Sequence, residues 1–154
     1  MDSYFENFEK SAFRLELLQK YSVDEELEDF SNFIKTSKIN SKKYSEWTEI
    51  ISKAKSRGVI MQRVHIVDFP LSDYLKYEFE YYKISKKIGE QIFLLDKNKF
   101  NEKVNFDFWL FDDRIVLKMN YDQDGKFLGF EKIIGNVDKF VKLKNKLLKI
   151  SEEF

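Results

Sequence analysis

Apolar residues recur at three- and four-residue steps in five stretches of the chain, and each such stretch predicts a helix with one buried stripe. Over residues 4–21 the stripe is Phe5, Phe8, Ala12, Leu15 and Leu18, with Ser3 where an N-cap is expected. Ser22 and Glu25 have the spacing of a capping box, so a second helix is predicted over residues 24–35, with Leu27, Phe30 and Ile34 on its apolar side. Trp47, Ile50, Ile51 and Ala54 give a third, closed by Gly58. Pro70 and Ser72 open a fourth over residues 72–87, whose stripe is Leu71, Leu75, Phe79 and Tyr82, while Tyr74, Glu78, Tyr81 and Ser85 fall on another face. The fifth, over residues 137–152, sets Val137, Phe140, Val141, Leu147 and Leu148 against a side rich in lysine.

Between the third and fourth helices the period falls to two. Residues 59–67 alternate and are rich in β-branched side chains, which predicts a half-buried strand with Arg63 and His65 on one face. Further β-rich runs at residues 91–95, 106–111, 114–121 and 126–134 are punctuated by Asp112-Asp113 and Asp124-Gly125, the pattern of an antiparallel meander. The fold class predicted is α+β: an N-terminal helical layer, a central mixed sheet of about five strands, and a C-terminal amphipathic helix. With no repeat and one Pro, the 154 residues are expected to form a single domain, residues 1–40 as the helical layer and residues 41–154 as the mixed part.

Composition narrows the function classes. A 43% apolar content with 16 Phe and 8 Tyr excludes low-hydrophobicity disorder. The 27 basic and 27 acidic side chains cancel, so no net field draws the molecule to nucleic acid or an anionic membrane. Absence of Cys removes disulfides, thiolate zinc sites and a Cys nucleophile together. Asp2, Glu6 and Glu9 stand where a signal peptide would be basic, and no apolar run approaches the roughly 20 residues of a membrane span, so a cytoplasmic location is expected.

Asn120, Asp122, Asp124, Gly125 and Glu131 match positions of a calcium loop, but their flanks alternate as strands, and Asp-Gly between strands predicts a hairpin turn. His65, the sole histidine, is expected to be a hydrogen-bonded structural residue. Asp112 and Asp113 are expected to be turn residues bonding their own backbone. Asp107 shares a strand face with Trp109, and if buried it needs a partner such as Arg63. The lysines of the last helix are expected to be solvated, and the five glycines are too scattered for a phosphate loop.

Several phrases taken together resemble an uncharacterised bacterial domain family. They are Ser11-Ala12-Phe13-Arg14-Leu15-Glu16, Arg63-Val64-His65-Ile66-Val67, Pro70-Leu71-Ser72-Asp73-Tyr74, Gly89-Glu90 and Asp107-Phe108-Trp109-Leu110-Phe111-Asp112-Asp113. The similarity runs over roughly residues 8–141, and the family's members are often encoded beside helix-turn-helix regulators. It implies that Arg14, Glu16, Arg63, Tyr74, Glu78, Glu90, Asp107, Trp109 and Asp113 belong to a recurring polar and aromatic pattern. The order of elements is also similar to one half of the phospholipase D-like phosphodiesterases. Their His-x-Lys-x-x-x-x-Asp motif falls here on Asn105, Asp107 and Asp112, so nucleophile and cation are missing and the resemblance implies that activity is lost.

The function expected is that of a binding or regulatory partner, with a pocket between the two central strands and the helix at residues 72–87. Its ligand-binding residues are expected to be Arg63, His65, Tyr74, Glu78, Glu90, Asp107, Trp109 and Asp113, with no metal and no cofactor. The partner expected is a small molecule or a protein, a helix-turn-helix regulator among the candidates, with neither direct nucleic-acid binding nor a membrane. The alternative is a hydrolase or transferase using Glu78 or Glu90 as a general base near His65.

Overall fold

The computed structural model describes residues 1–154, apart from the side chain of Lys43. In chain order the elements are α1 (Asp2–Asn7), β1 (Ser11–Glu16), α2 (Leu27–Thr36), α3 (Ser45–Ser56), β2 (Ile60–Val67), α4 (Asp73–Ile88), β3 (Gln91–Asp96), β4 (Asp107–Phe111), β5 (Ile115–Tyr121), β6 (Phe127–Ile133), α5 (Asp138–Ile150) and β7 (Glu152–Glu153). The strands form one mixed sheet in the order β6-β5-β4-β1-β2-β3-β7. β1, β2 and β3 run parallel through helical crossovers, while β4, β5 and β6 make the predicted antiparallel meander. The α+β class holds, with seven strands where about five were expected.

The largest departure lies at the N-terminus. One helix is predicted over residues 4–21, but the chain forms the short α1 and then β1, which pairs with β2 on one side and β4 on the other. At the centre of the sheet Phe13 and Leu15 bury against α5, while Ala12, Arg14 and Glu16 bury on the opposite face. The alternation is therefore strand-like, but its polar half is inside the protein, and the spacing of Phe8, Ala12 and Leu15 also fits a helix.

α5 covers one face, packing Phe140, Leu143 and Leu147 on Phe13, Val64, Leu95 and Phe108, with Phe100, Val104 and Phe106 of the segment before β4 beside it. The other face is covered by α1 and α3, which bury Phe5, Ile51 and Ala54 against Met61, Trp109 and Phe111, and by α4 with α2 beside it. α4 buries Tyr74, Tyr77, Tyr81 and Ser85 as well as Leu75 and Tyr82, so the face expected to be secondary is inside, and Leu71 and Phe79 are only half-buried. Ser72 caps this helix, its hydroxyl accepting from the Leu75 N–H at 3.1 Å.

The calcium-loop pattern is a hairpin: Asp122 Oδ1 accepts the N–H groups of Asp124 and Lys126, each at 2.9 Å, between β5 and β6. Gly125 has φ +83, and a Cβ there would meet the Lys20 carbonyl oxygen at 2.5 Å, so glycine lets the hairpin dock on the segment entering residue 22. No described helix is long and apolar enough to cross a membrane.

Candidate functional site

The face of the sheet beneath α3 and α4 is polar at its centre. β1 contributes Arg14 and Glu16, β2 contributes Arg63 and His65, and β4 contributes Asp107 and Trp109, all buried. Register sets Arg14 opposite Arg63 and Glu16 opposite His65, with Trp109 opposite Arg14 on the other flank. Burying such groups costs several kcal/mol per ion unless they are paired and hydrogen-bonded, and here they are. Arg63 Nε donates to Glu90 Oε1 at 2.7 Å and its Nη1 to Glu16 Oε1. Arg14 Nη2 donates to Asp107 Oδ2 at 3.0 Å and to the Tyr121 hydroxyl at 2.8 Å. Asp107 therefore pairs with Arg14, where the sequence suggested Arg63. It also accepts the Leu17 N–H at 2.9 Å and the Tyr21 hydroxyl at 2.5 Å.

His65 is fully buried and held at both ring nitrogens. Nε2 lies 2.7 Å from the Leu18 carbonyl, which can only accept, so Nε2 carries the hydrogen and Nδ1 presents its lone pair. The Tyr82 hydroxyl sits 2.8 Å from Nδ1 and 2.9 Å from Glu78 Oε1, so its single hydrogen serves one of the two. Glu16 Oε2 and Glu78 Oε2 stand 3.7 and 3.9 Å from the same Nδ1.

These groups hold each other away from their ordinary pKa values. Burial lowers that of His65 despite the opposing pull of Glu16 and the Leu18 carbonyl. Burial, reinforced by the charge of Glu16, pushes the Glu78 carboxyl well above the usual carboxylate range. Burial would also raise Glu16, but Arg63, His65 and Arg14 outweigh it and draw it down to about 2. A protonated Glu78 can donate to Tyr82 and Tyr82 to a neutral His65, a continuous hydrogen-bonded chain.

Above this cluster lies a cavity of about 290 Å³. Arg14, Glu16, Glu26, Arg63 and Glu78 supply its polar lining, and its walls are aromatic: Tyr44, Trp47, Tyr74, Tyr77, Tyr81, Tyr82 and Trp109, with Met119. The Arg63 guanidinium lies over the rings of Trp47 and Tyr82, at 5.5 and 5.3 Å from their centroids, and that of Arg14 over Trp109 at 5.7 Å. Among the described residues, two buried side-chain atoms lack a hydrogen-bond partner, Arg14 Nη1 and Glu78 Oε2, and both belong to residues lining this cavity.

Of the residues singled out in the sequence, Arg63, Tyr74, Glu78 and Trp109 line the cavity. His65, Glu90 and Asp107 lie behind it, bonded to lining residues. Asp113 is elsewhere: it accepts from Lys144 Nζ of α5 at 2.6 Å, on the opposite face of the sheet, which also withdraws Lys144 from the predicted solvated lysine side. Asp112 bonds the N–H groups of Glu9, Lys10 and Ser11, a remote segment in place of its own turn. The chain also brings in Glu26, Tyr44, Trp47 and Tyr82, which the sequence reading left out of the site, and Arg14 and Glu16, which entered it through the resemblance alone. Trp47 and Tyr82 carry a polar tip on a predicted apolar stripe, whereas Glu26, Tyr44, Arg14 and Glu16 lie off every such stripe and give no signal.

Fold and site define an α+β domain in which an aromatic-walled cavity sits over buried ion pairs on a mixed sheet. The chain belongs to the DUF6879 family, a domain of unknown function whose model matches residues 1–154. No curated protein matches it.

Proposed function

We propose that the chain binds a small molecule in the cavity between β1, β2 and α4. The observation that carries this reading is the pair of unpartnered buried atoms, Arg14 Nη1 and Glu78 Oε2, on one cavity. A buried polar atom left unsatisfied costs roughly 1–3 kcal/mol, which a ligand completing its hydrogen bonds returns. The volume of about 290 Å³ sits at the small end of ligand pockets.

Charge selects the ligand class. Both arginines are already neutralised by Glu16, Glu90 and Asp107, and Glu26 and Glu78 add further carboxyl groups, so phosphates and other anions meet no free cation. A small amine that also carries an acceptor oxygen fits best: its nitrogen faces Glu78 and the aromatic rings, and its oxygen takes the Arg14 N–H. The test is a thermal-shift screen of amino acids, simple amines, nucleotides and inorganic phosphate. A ligand at about 100 times its Kd adds about 2.7 kcal/mol, several degrees for a chain of this size. An amine-dependent shift lost in Glu78→Gln is expected; no shift with any amine, or an undiminished one in Glu78→Gln, would overturn the reading.

The hydrogen-bonded order Glu78, Tyr82, His65 favours one second reading, a hydrolase or transferase with Glu78 as general base. Glu90 does not suit that role, because Arg63 and the Trp47 indole at 3.1 Å occupy its two oxygens. A regulatory role with a helix-turn-helix partner is supported by the family resemblance and by no feature of the cavity.

A further inference from the structure

We infer that Glu16, His65 and Glu78 form a binding site for one divalent transition-metal ion of the Mn²⁺ or Zn²⁺ class. The three residues come from β1, β2 and α4, and each offers one ligand atom within 4.8 Å of the other two. Glu16 Oε2 and Glu78 Oε2 lie 3.7 and 3.9 Å from His65 Nδ1. An ion about 2.1 Å from each donor sets neighbouring donors about 3 to 3.5 Å apart, so the two carboxylates must close on Nδ1 and on each other as the ion enters.

Three further observations point to an ion in this position. The His65 Nε2–H is tied to the Leu18 carbonyl at 2.7 Å, the outer bond that metal-ligating histidines make, and it leaves Nδ1 with a lone pair, met by the Tyr82 hydroxyl at 2.8 Å and flanked by both carboxylates. Glu78 Oε2 is buried with no hydrogen-bond partner, and coordination would satisfy it. Glu16 divides its oxygens, giving Oε1 to Arg63 and leaving Oε2 on the His65 side. Once an ion displaces the proton of Glu78, the carboxylates Glu16, Glu78, Glu90 and Asp107 surround the guanidinium groups of Arg14 and Arg63 with an excess of two negative charges, which a divalent ion cancels.

The donor set fixes the metal class. One imidazole nitrogen with two carboxylate oxygens and no thiolate suits Mn²⁺, Fe²⁺, Co²⁺ or Zn²⁺, whereas Ca²⁺ and Mg²⁺ prefer all-oxygen sites and Cu⁺ prefers sulfur. An ion on Nδ1 must displace the Tyr82 hydroxyl, 2.8 Å from that atom, which then turns to its second acceptor, Glu78 Oε1, at 2.9 Å. The adjoining cavity supplies room for water or an organic ligand to complete the coordination. This inference goes beyond the small-molecule reading and needs no organic ligand; it fills the same Glu78 Oε2, so an ion and an amine nitrogen are alternative occupants of that oxygen.

His65 is the only histidine, so its ring resonances are assigned without ambiguity. Full-length, chelator-treated protein labelled with ¹⁵N-histidine would be titrated with ZnCl₂ by NMR and with ZnCl₂ and MnCl₂ by calorimetry. Binding of one ion per chain with a shifted Nδ1 resonance is expected, and Glu78→Gln, near-isosteric and shown to be folded by circular dichroism, should weaken it at least about tenfold. No binding up to millimolar metal, binding that leaves the His65 resonances unmoved, or wild-type affinity in folded Glu78→Gln would overturn the site. Because the probe is the metal alone, failure here leaves the amine screen standing, and failure of the screen leaves this titration standing.

Discussion

Arg14 and Arg63 stand opposite each other on the parallel pair β1 and β2, both buried. Each guanidinium is turned to carboxylates of its own, Arg14 to Asp107 and Arg63 to Glu16 and Glu90, with Glu16 Oε1 also 3.7 Å from Arg14 Nε. Two like charges in register on a covered sheet face are thus tolerated because carboxylates from three other positions reach between and beside them.

Removing one member of this network strands the others. Arg63→Met keeps much of the stem's packing but leaves Glu90 buried without its cation and Glu16 with Arg14 alone, and a loss of about 3 to 5 kcal/mol is expected in chemical denaturation. Adding Glu90→Gln should recover part of that loss, so a double-mutant cycle would show a favourable coupling between positions 63 and 90. Additive losses would mean the pair contributes through packing alone.

Asp29 ties α2 to α4. Its Oδ2 accepts from Tyr77 at 2.9 Å and from Tyr81, and its Oδ1 accepts the Asn40 N–H at 2.8 Å. Asp29→Ala removes the acceptor of the Tyr77 hydroxyl and leaves that of Tyr81 with only the Asn40 carbonyl at 3.2 Å, both tyrosines lining the cavity. A cost of about 2 to 3 kcal/mol follows for charged acceptors of this kind, or roughly 4–12 °C in Tm. Calorimetry on wild type and variant measures it directly.

Asp112 is the source of a pH dependence remote from the cavity. Burial would raise its carboxyl, but the N–H groups of Glu9, Ser11 and Lys10 outweigh burial and hold it below the usual range. A folded-state value below the unfolded one stabilises the protein above the unfolded pKa of about 3.9, and that contribution disappears as pH falls through the folded value. Asp112→Asn, which tolerates the φ of 52 at this position, should therefore lower stability by about 2 kcal/mol at pH 7. The gap should close as pH drops below about 4. Urea titrations at pH 7, 5 and 3.5 would reveal it, and a gap independent of pH would contradict the assignment.

These residues also mark how far the sequence alone reaches. α4 announces itself because one side meets solvent, and β2 and the meander through β-rich runs set between turn residues, although β2 and β4 are buried on both faces where β2 was expected to be half-buried. β1 does not, since Arg14 and Glu16 occupy the polar phase of its alternation but are buried by partners from β2, β4 and β5. Asp107 was recognisable as needing a cation, yet Arg14 and Arg63 are both cations on neighbouring strands, and pattern cannot choose between them. Tyr82 reads as core, as it is, and Trp47 also does though it is only half-buried, while the hydroxyl and indole N–H that join them to Glu78 and Glu90 are tertiary facts. Asp112 and Asp113 both have positive φ in the tight turn, but one side chain reaches the start of β1 and the other reaches α5, a divergence adjacency conceals.

The chain carries its own reporter for the central claim. It has two tryptophans, Trp47 and Trp109, their rings 5.8 Å apart, and both line the cavity. The most direct measurement is a tryptophan-fluorescence titration with the amines and amino acids that raise Tm. A saturable change in emission, absent from Glu78→Gln, is the result predicted for a ligand seated against Arg14 and Glu78. Thermal stabilisation by those compounds with no change in tryptophan emission would place binding elsewhere and contradict the cavity as the site.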